Sequence, residues 1–399
     1  MTIQSKYDLG VAVEAPACGI DLWSDEVLLE PWAHYRSIRD LGPAVLLERY
    51  GVYAIGRYDG VREVTRDWEA FTSAEGVAFN DLMNEAELGT SAGSDPPEHG
   101  VVRAMLTERL HLSDVRALSD VLETRAKELV DGLAGQGWFD AVGDLARRYV
   151  TRVVGDIIGI TGDVLEHLAP AGSVFFDAVG PEGDRVYAAV PVALELLGEM
   201  GRLTKDDMAP GGVGWTLFEA QERGEMPGED PTIYIFNFVG PAFDTTISGI
   251  SSTLWLLARH PDQWAMVRED PALISAAFSE ALRLESPLQI WSRFCRDGAE
   301  LDGVSIPPAS RIALLLGSAN RDERHYPDPD TYRVDRNPKD HVAFGHGIHA
   351  CLGLSLARAQ AQAVLGAVVE RARTLQCGTP IREPRNTTRG LSSLPMTMG

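Results

Sequence analysis

The ten residues Phe344 to Gly353, Phe-Gly-His-Gly-Ile-His-Ala-Cys-Leu-Gly, set one cysteine, Cys351, in a glycine-rich loop that runs into an apolar segment, Leu354 to Arg373. That position suits a thiolate metal ligand. The segment after it has helical spacing, and the free N–H groups and dipole at a helix start stabilise a deprotonated sulfur. Gly345, Gly347 and Gly353 admit conformations and close approaches that a Cβ would block, as a flat macrocycle lying on the loop requires. His349 is placed to donate to an acidic group near the ligated centre. A lone cysteine at a helix start is ordinarily structural. Here six fixed positions coincide by chance on the order of 10⁻⁸ per start position at average residue frequencies.

Three more spacings could do chemistry. Asp95-Pro96-Pro97-Glu98-His99 opens a helical stretch in which His99 and Arg103 lie one turn apart and can reach a single anion. Cations there oppose the helix dipole, a small cost that points to a purpose. Glu280 and Arg283 share a helix face beside Phe278, Leu282 and Leu284, so the pair is at least partly buried. Asp244-Thr245, an acid followed by an alcohol, lies in a long apolar stretch and can pass protons through groups in hydrogen-bond reach. A helical threonine can also bond its own i−4 carbonyl, and both readings can hold. Pro241 frees the carbonyl of Asn237, so a kink is expected.

These residues need a helical frame. Apolar residues recur at three and four through much of residues 98–200, and Asp230-Pro231 predicts a cap and first turn for a long helix ending near His260-Pro261. A short helix is expected over 261–270 and another after Asp270-Pro271. Residues 44–57 predict a β-hairpin, residues 299–316 a second one turning at Asp302-Gly303, and 209–214 a loop. The chain has 399 residues, 45% hydrophobic and 24% charged, enough for a large core without a linker that would divide it. Four separated cysteines give no zinc spacing and fit a reducing cytoplasm. The N-terminus lacks a signal peptide or anchor, and a net charge of −22 opposes nucleic acid and anionic lipid. The sequence reads as a cytoplasmic, mainly α protein.

Together the cysteine loop, the Glu-x-x-Arg pair, the Asp-Pro-Pro-x-His-x-x-x-Arg segment and the acid–alcohol pair resemble the cytochrome P-450 family, the haem-thiolate monooxygenases. The resemblance implies one domain over 1–399, mainly α with small antiparallel β-sheets. It implies haem b, no flavin, and Cys351 as iron ligand in a loop with Phe344, Gly345 and Gly353. His99, Arg103, Arg293 and His349 would hold the haem propionates. Asp244 and Thr245 would deliver protons to bound dioxygen, and Glu280 and Arg283 would hold the haem-side core through a downstream Arg or Asn segment. Electrons would come from a separate ferredoxin or ferredoxin-type reductase docking on the Cys351 side, where Arg103, Arg109, Arg116 and Arg358 would form a positive patch. Pro241-Ala242 departs from the two small residues usual in the family and narrows the oxygen groove.

The segments 317–322, 327–332 and 389–395 further resemble a bacterial subgroup that O-demethylates para-methoxybenzoates. Yet no Lys or Arg lies between Arg66 and Arg103, where Glu75, Asp81, Glu85 and Glu87 stand. The long helix has no basic residue from Thr232 to Ala258, and Phe236 and Asn237 replace the subgroup's basic and polar pair. Burying an unpaired carboxylate costs on the order of several kcal/mol. The expected pocket is therefore aromatic and neutral: Ala92, Phe175, Phe176, Val179, Phe236, Asn237, Phe243, Trp291 and Leu391. A methoxyphenol or alkylguaiacol would enter it, with Asn237 meeting the hydroxyl, and lose its methyl group as formaldehyde. A terpenoid or polyketide hydroxylase, a peroxygenase, and a non-enzymatic haem sensor or carrier are the rival readings.

Overall fold

The computed structural model describes residues 13–108, 112–160, 171–226 and 230–399, and helices carry most of them. The helices that frame the site are α1 (Asp81–Glu87), α2 (Glu98–Glu108), α3 (Ala171–Ala178), α4 (Pro231–Arg259), α5 (Ile274–Leu284) and α6 (Leu354–Arg371). The strands beside it are β1 (Ala17–Cys18), β2 (Val45–Leu47), β3 (Val52–Ile55), β4 (Phe71–Thr72), β5 (Ile290–Cys295), β6 (Ala299–Leu301), β7 (Val304–Ile306) and β8 (Ser310–Leu315).

Helix α4 starts as its sequence dictates. The Asp230 carboxylate accepts from Thr232 N at 2.8 Å, and Pro231 takes the first turn, where its missing N–H costs nothing. The helix continues through Pro241, and packing against α3, α5 and α6 compensates for the lost hydrogen bond to residue 237. The contact with α3 is close: a Cβ on Gly172 would lie 2.7 Å from the Gly240 carbonyl.

The first hairpin is present, with β2 and β3 antiparallel and Val45 opposite Ala54. The second is shorter than expected. Strands β6 and β7 pair through Asp302 (φ 48°) and Gly303 (φ 78°), both left-handed as a two-residue turn demands. Residues 310–315 instead leave as β8, because Ser-Arg-Ile-Ala-Leu-Leu is too apolar for a half-exposed hairpin. In the six-stranded sheet β1-β2-β3-β8-β5-β4, β8 runs parallel to β3 and antiparallel to β5, so this sheet is mixed. The expected loop at 209–214 ends early, since a helix begins at Val213.

Glu280 and Arg283 are fully buried. Arg283 Nε and Nη2 donate to the two Glu280 oxygens at 2.7 and 2.8 Å, and Arg283 Nη1 donates to the carbonyls of Asn320 (2.8 Å) and Pro329 (2.7 Å). Arg336 Nε reaches Glu280 Oε1 at 2.9 Å. A second buried acid that the sequence reading passed over, Glu285, takes three arginines: Arg321 at 3.1 Å, Arg382 at 3.0 Å and Arg389 at 3.4 Å. The first cluster ties the α5 end to the segment that leads into the cysteine loop, and the second ties it both to that segment and to the chain that follows α6.

Candidate active site

The loop between Phe344 and α6 is shaped by its backbone. Gly345 and Gly347 hold φ of 69° and 75°, and a Cβ on Gly347 would collide with the Thr65 carbonyl. Gly353 has an ordinary φ of −81°, and a Cβ there would meet only Cys351 Sγ, at 3.9 Å. Its missing side chain therefore leaves room on the cavity side of the sulfur. Cys351 N donates to the Phe344 carbonyl at 2.7 Å, closing the loop. Burial pushes the Cys351 thiol up, while N–H groups of Gly353 and Leu354 and the Arg103 guanidinium pull it back. A thiol so placed ionises when a metal binds it.

Cys351 opens into a cavity of about 280 Å³. Strand alternation turns Trp291 and Arg293 of β5 to the cavity, with Leu314 of β8 opposite Trp291 in register. Arg103 of α2 lines it too and donates to the Ala350 carbonyl. Beside them the His99 and His349 rings meet at a tilt of 60° with centroids 4.4 Å apart, and the Nε2 atoms of both are buried without a partner within the described protein. Burial drives both imidazoles below their ordinary pKa, aided by the nearby arginines, and burial lowers Arg293 to about 10. His349 Nε2 lies 3.7 Å from Asp95 Oδ1, which is itself engaged by Ser73 N at 3.1 Å. Unpaired donors and two arginines at one edge of a cavity that holds a thiol form a cradle for an anionic macrocycle. The donor set fits haem, with its two carboxylates.

Helix α4 turns Phe238, Pro241, Ala242, Thr245 and Thr246 toward the cavity. Thr245 Oγ1 donates to the Pro241 carbonyl at 2.7 Å, so its lone pairs remain to accept a proton donor from the cavity side. Asp244 falls on another face of the same helix and does not line the cavity. Burial raises its pKa, and Arg385 and Thr388 draw it back, while Asp177 adds to the rise. Arg385 Nη1 binds Asp177 at 2.8 Å and its Nη2 binds Glu383 at 2.9 Å, leading from the buried acid toward the surface. Neither Asp177 nor Arg385 was legible as a partner of Asp244, because both lie far from it in sequence and 208 residues separate the two from each other.

The expected pocket residues divide. Ala92, Phe175, Phe176, Phe236 and Trp291 line the cavity. Val179, Phe243 and Leu391 do not: each is a core residue, at most 5% exposed, and Phe243 lies about 100° around α4 from Ala242. The side chain of Asn237 and all of Arg109 lie outside the described residues. Phe238 and Leu288 join the wall unannounced, although Phe238 shares helical spacing with Ala242 and Thr245. Glu87, at the end of α1, is the carboxylic acid of the lining among the described residues. It is 4% exposed, and burial raises its pKa from 4.5 to about 7, against the opposing pull of Thr90.

The cytochrome P-450 family model matches residues 215–396. Over 404 aligned positions the chain is 32% identical to cytochrome P-450 CYP199A2 of Rhodopseudomonas palustris, covering 100% of this chain and 97% of that protein. It is 28% identical to the cytochrome P-450 monooxygenase PikC of Streptomyces venezuelae, over 97% of this chain and 95% of PikC. Two solved structures superpose closely. Cytochrome P-450 CREJ in complex with (4-ethylphenyl) dihydrogen phosphate gives a TM-score of 0.84 at 26% identity, over 93% of this chain and 98% of that one. Mycobacterium marinum CYP268A2 in complex with pseudoionone gives 0.86 at 25% identity, over 97% and 100%.

Proposed function

Because this chain belongs to the cytochrome P-450 family and is therefore a haem b monooxygenase, we propose that it O-demethylates a small neutral aromatic of the methoxyphenol or alkylguaiacol type. The observation that carries this reading is the wall of the cavity. Phe175, Phe176, Phe236, Phe238 and Trp291 surround it, and its cations, Arg103 and Arg293, belong to the anion-binding edge beside Cys351. A benzoate would enter with no free cation and would meet Glu87, a second acid. Two such groups cannot both stay ionised in an apolar site.

Haem b, when bound, supplies dioxygen activation at an iron held by the Cys351 thiolate, whose electron donation favours O–O cleavage. The protein's own residues do the rest. His99, Arg103, Arg293 and His349 hold the propionates. The aromatic wall holds the ring of the substrate and excludes water, and the Thr245 hydroxyl offers the last hydrogen-bonding position on the cavity side. Asp244 holds a proton more readily than an exposed acid, and the neighbouring Asp177–Arg385 pair sets the charge around it. The substrate's methoxy carbon is oxidised, and the product falls apart to a phenol and formaldehyde.

Bacterial members of the family typically take electrons from a separate redox partner. A ferredoxin or ferredoxin-type reductase is the proposed donor here, on the outer side of the cysteine loop. A pocket there is lined by Arg62, Lys339 and Arg358 beside His346 and Ala350. Arg116 is exposed, but Arg103 is turned inward to Ala350, so it leaves the expected patch and Arg62 and Lys339 enter it. No helix among the described residues is long and apolar enough to cross a membrane. The cytoplasm is the proposed location.

The test is a visible-absorbance titration of the haem-loaded protein with 4-methoxybenzoate and with a neutral 4-alkyl methoxyphenol. A spin-state shift with the neutral ligand, followed by formaldehyde release in the reconstituted reaction, is the expected result. A shift with the benzoate alone would overturn the neutral-substrate reading. Silence with both would transfer the site to a terpenoid or polyketide.

A further inference from the structure

Resting on the aromatic-substrate reading, we propose that Glu87 is the specificity-determining polar anchor of the cavity, the group that receives the phenolic hydroxyl of the substrate. Nothing in the sequence motifs assigns it a role, and its placement is costly to the fold. It occupies the buried face of α1 with Met83, and the other residues of that helix that carry charge, Asp81 and Glu85, are exposed. A carboxyl group in such a place is disfavoured unless something hydrogen-bonds it.

The partner it has is one hydroxyl. Thr90 Oγ1 lies 3.0 Å from Glu87 Oε2, 2.8 Å from the Glu87 carbonyl, and accepts from Gly93 N at 3.0 Å. One hydroxyl proton cannot serve the carbonyl and the carboxylate together. Whether Thr90 donates to the carbonyl or to Oε2, the second carboxyl oxygen, Oε1, has no donor among the described residues. The turn also fixes the acid in place. Thr90 N returns to the Glu87 carbonyl at 3.1 Å, Ser94 Oγ returns to the Thr90 carbonyl at 2.7 Å, and Leu88 bridges Gly93. The result is a rigid acid lining an apolar chamber, with one oxygen left over.

The chemistry of the other polar lining residues narrows the ligand. Arg103, Arg293 and His349 form the anion-binding edge, and the Ser91 carbonyl engages His349. None of these perturbs Glu87, whose shift has burial as its main cause and Thr90 as its counterweight. A group that titrates near neutrality accepts from a hydroxyl when ionised and donates to one when protonated. A phenol satisfies both states, whereas an ether and a carboxylate, which have no proton to give, satisfy only the second.

The experiment compares 4-ethylguaiacol with its methyl ether, 4-ethyl-1,2-dimethoxybenzene, by absorbance titration of the haem-loaded protein at pH 8. The ether keeps the ring, the alkyl group and a methoxy group and lacks the donor. The native protein should bind the phenol about tenfold more tightly, as a hydrogen bond to a charged group allows. Glu87→Leu should erase that preference by weakening the phenol alone. Glu87→Gln, which keeps the shape and an acceptor but no charge, should leave a smaller preference and guards against a packing artefact in the leucine variant. If the native protein binds both ligands equally, or if the leucine variant keeps the native preference, the role assigned to Glu87 is overturned while the aromatic cavity stands. If neither ligand binds the native protein, the aromatic-substrate reading fails and takes the anchor with it.

Discussion

Replacing Glu87 by glutamine should stabilise the protein, and more so as pH rises. With its pKa raised by burial from 4.5 to about 7, this acid holds its proton in the folded state over a range where the unfolded chain has released it. The unfolded state then binds fewer protons, so stability falls with increasing pH through that window. Each pH unit is worth about 1.4 kcal/mol, giving a penalty of about 3 kcal/mol above pH 7. Of this, about 2.5 kcal/mol accrues between pH 5 and pH 8. Glutamine mimics the protonated acid at Thr90 and carries no such penalty. Urea unfolding of the haem-loaded native and Glu87→Gln proteins at the two pH values measures the difference. The advantage of the variant should grow by about 2.5 kcal/mol on going from pH 5 to pH 8. Parallel stabilities at both pH values would refute the reasoning and return Glu87 to an ordinary solvated acid.

Glu280→Gln should cost about 3–5 kcal/mol, because Arg283 and Arg336 would face a neutral group inside the core; the urea midpoint at constant m-value reads it. Glu285, held ionised by Arg382, Arg389 and Arg321 against burial, has a depressed pKa, so it stabilises the fold above about pH 4.5 and loses that contribution as pH falls through its folded pKa. Glu285→Gln should lower stability at pH 7 and flatten the acid limb of unfolding. Thr245→Ala should leave ligand-induced spin shifts intact while oxygen and reductant consumption rise relative to formaldehyde formed, since the hydroxyl on the cavity face of α4 is lost and no wall residue moves. Lys339→Glu should raise the KM for a ferredoxin-type donor and leave substrate binding unchanged, with the difference shrinking at high salt.

Much of the site was legible because its chemistry is local in sequence. Cys351, the loop glycines, His349 and the start of α6 lie within one short stretch, and the Asp230-Pro231 cap announces α4. Glu280 and Arg283 are neighbours by helical spacing. What was missed is held together by tertiary packing. Glu285 gathers arginines from two distant segments, and Asp177 meets Arg385 across the fold. Val179, Phe243 and Leu391 were placed in the cavity by their apolar character, which does not distinguish a core face from a cavity face. Glu87 was read only as one of several acids that exclude a carboxylate. Its distinguishing signal was present: it sits four residues after Met83 on the buried face of α1, with Thr90 three residues on. The mixed sheet arises from β8, whose apolar run seeks a place between β3 and β5 that hairpin periodicity alone does not specify.

Cys351 is the proposed ligand of the haem iron, in the cradle of His99, Arg103, Arg293 and His349. The most direct test of that assignment is the absorbance spectrum of the reduced, carbon monoxide-treated protein, native and Cys351→His, each loaded with haem b. The native protein should show the long-wavelength Soret band diagnostic of a thiolate opposite the carbonyl, and the histidine variant should show that band moved to shorter wavelength. Identical spectra from the two proteins would mean that the iron is held elsewhere, and the account of this site would fall.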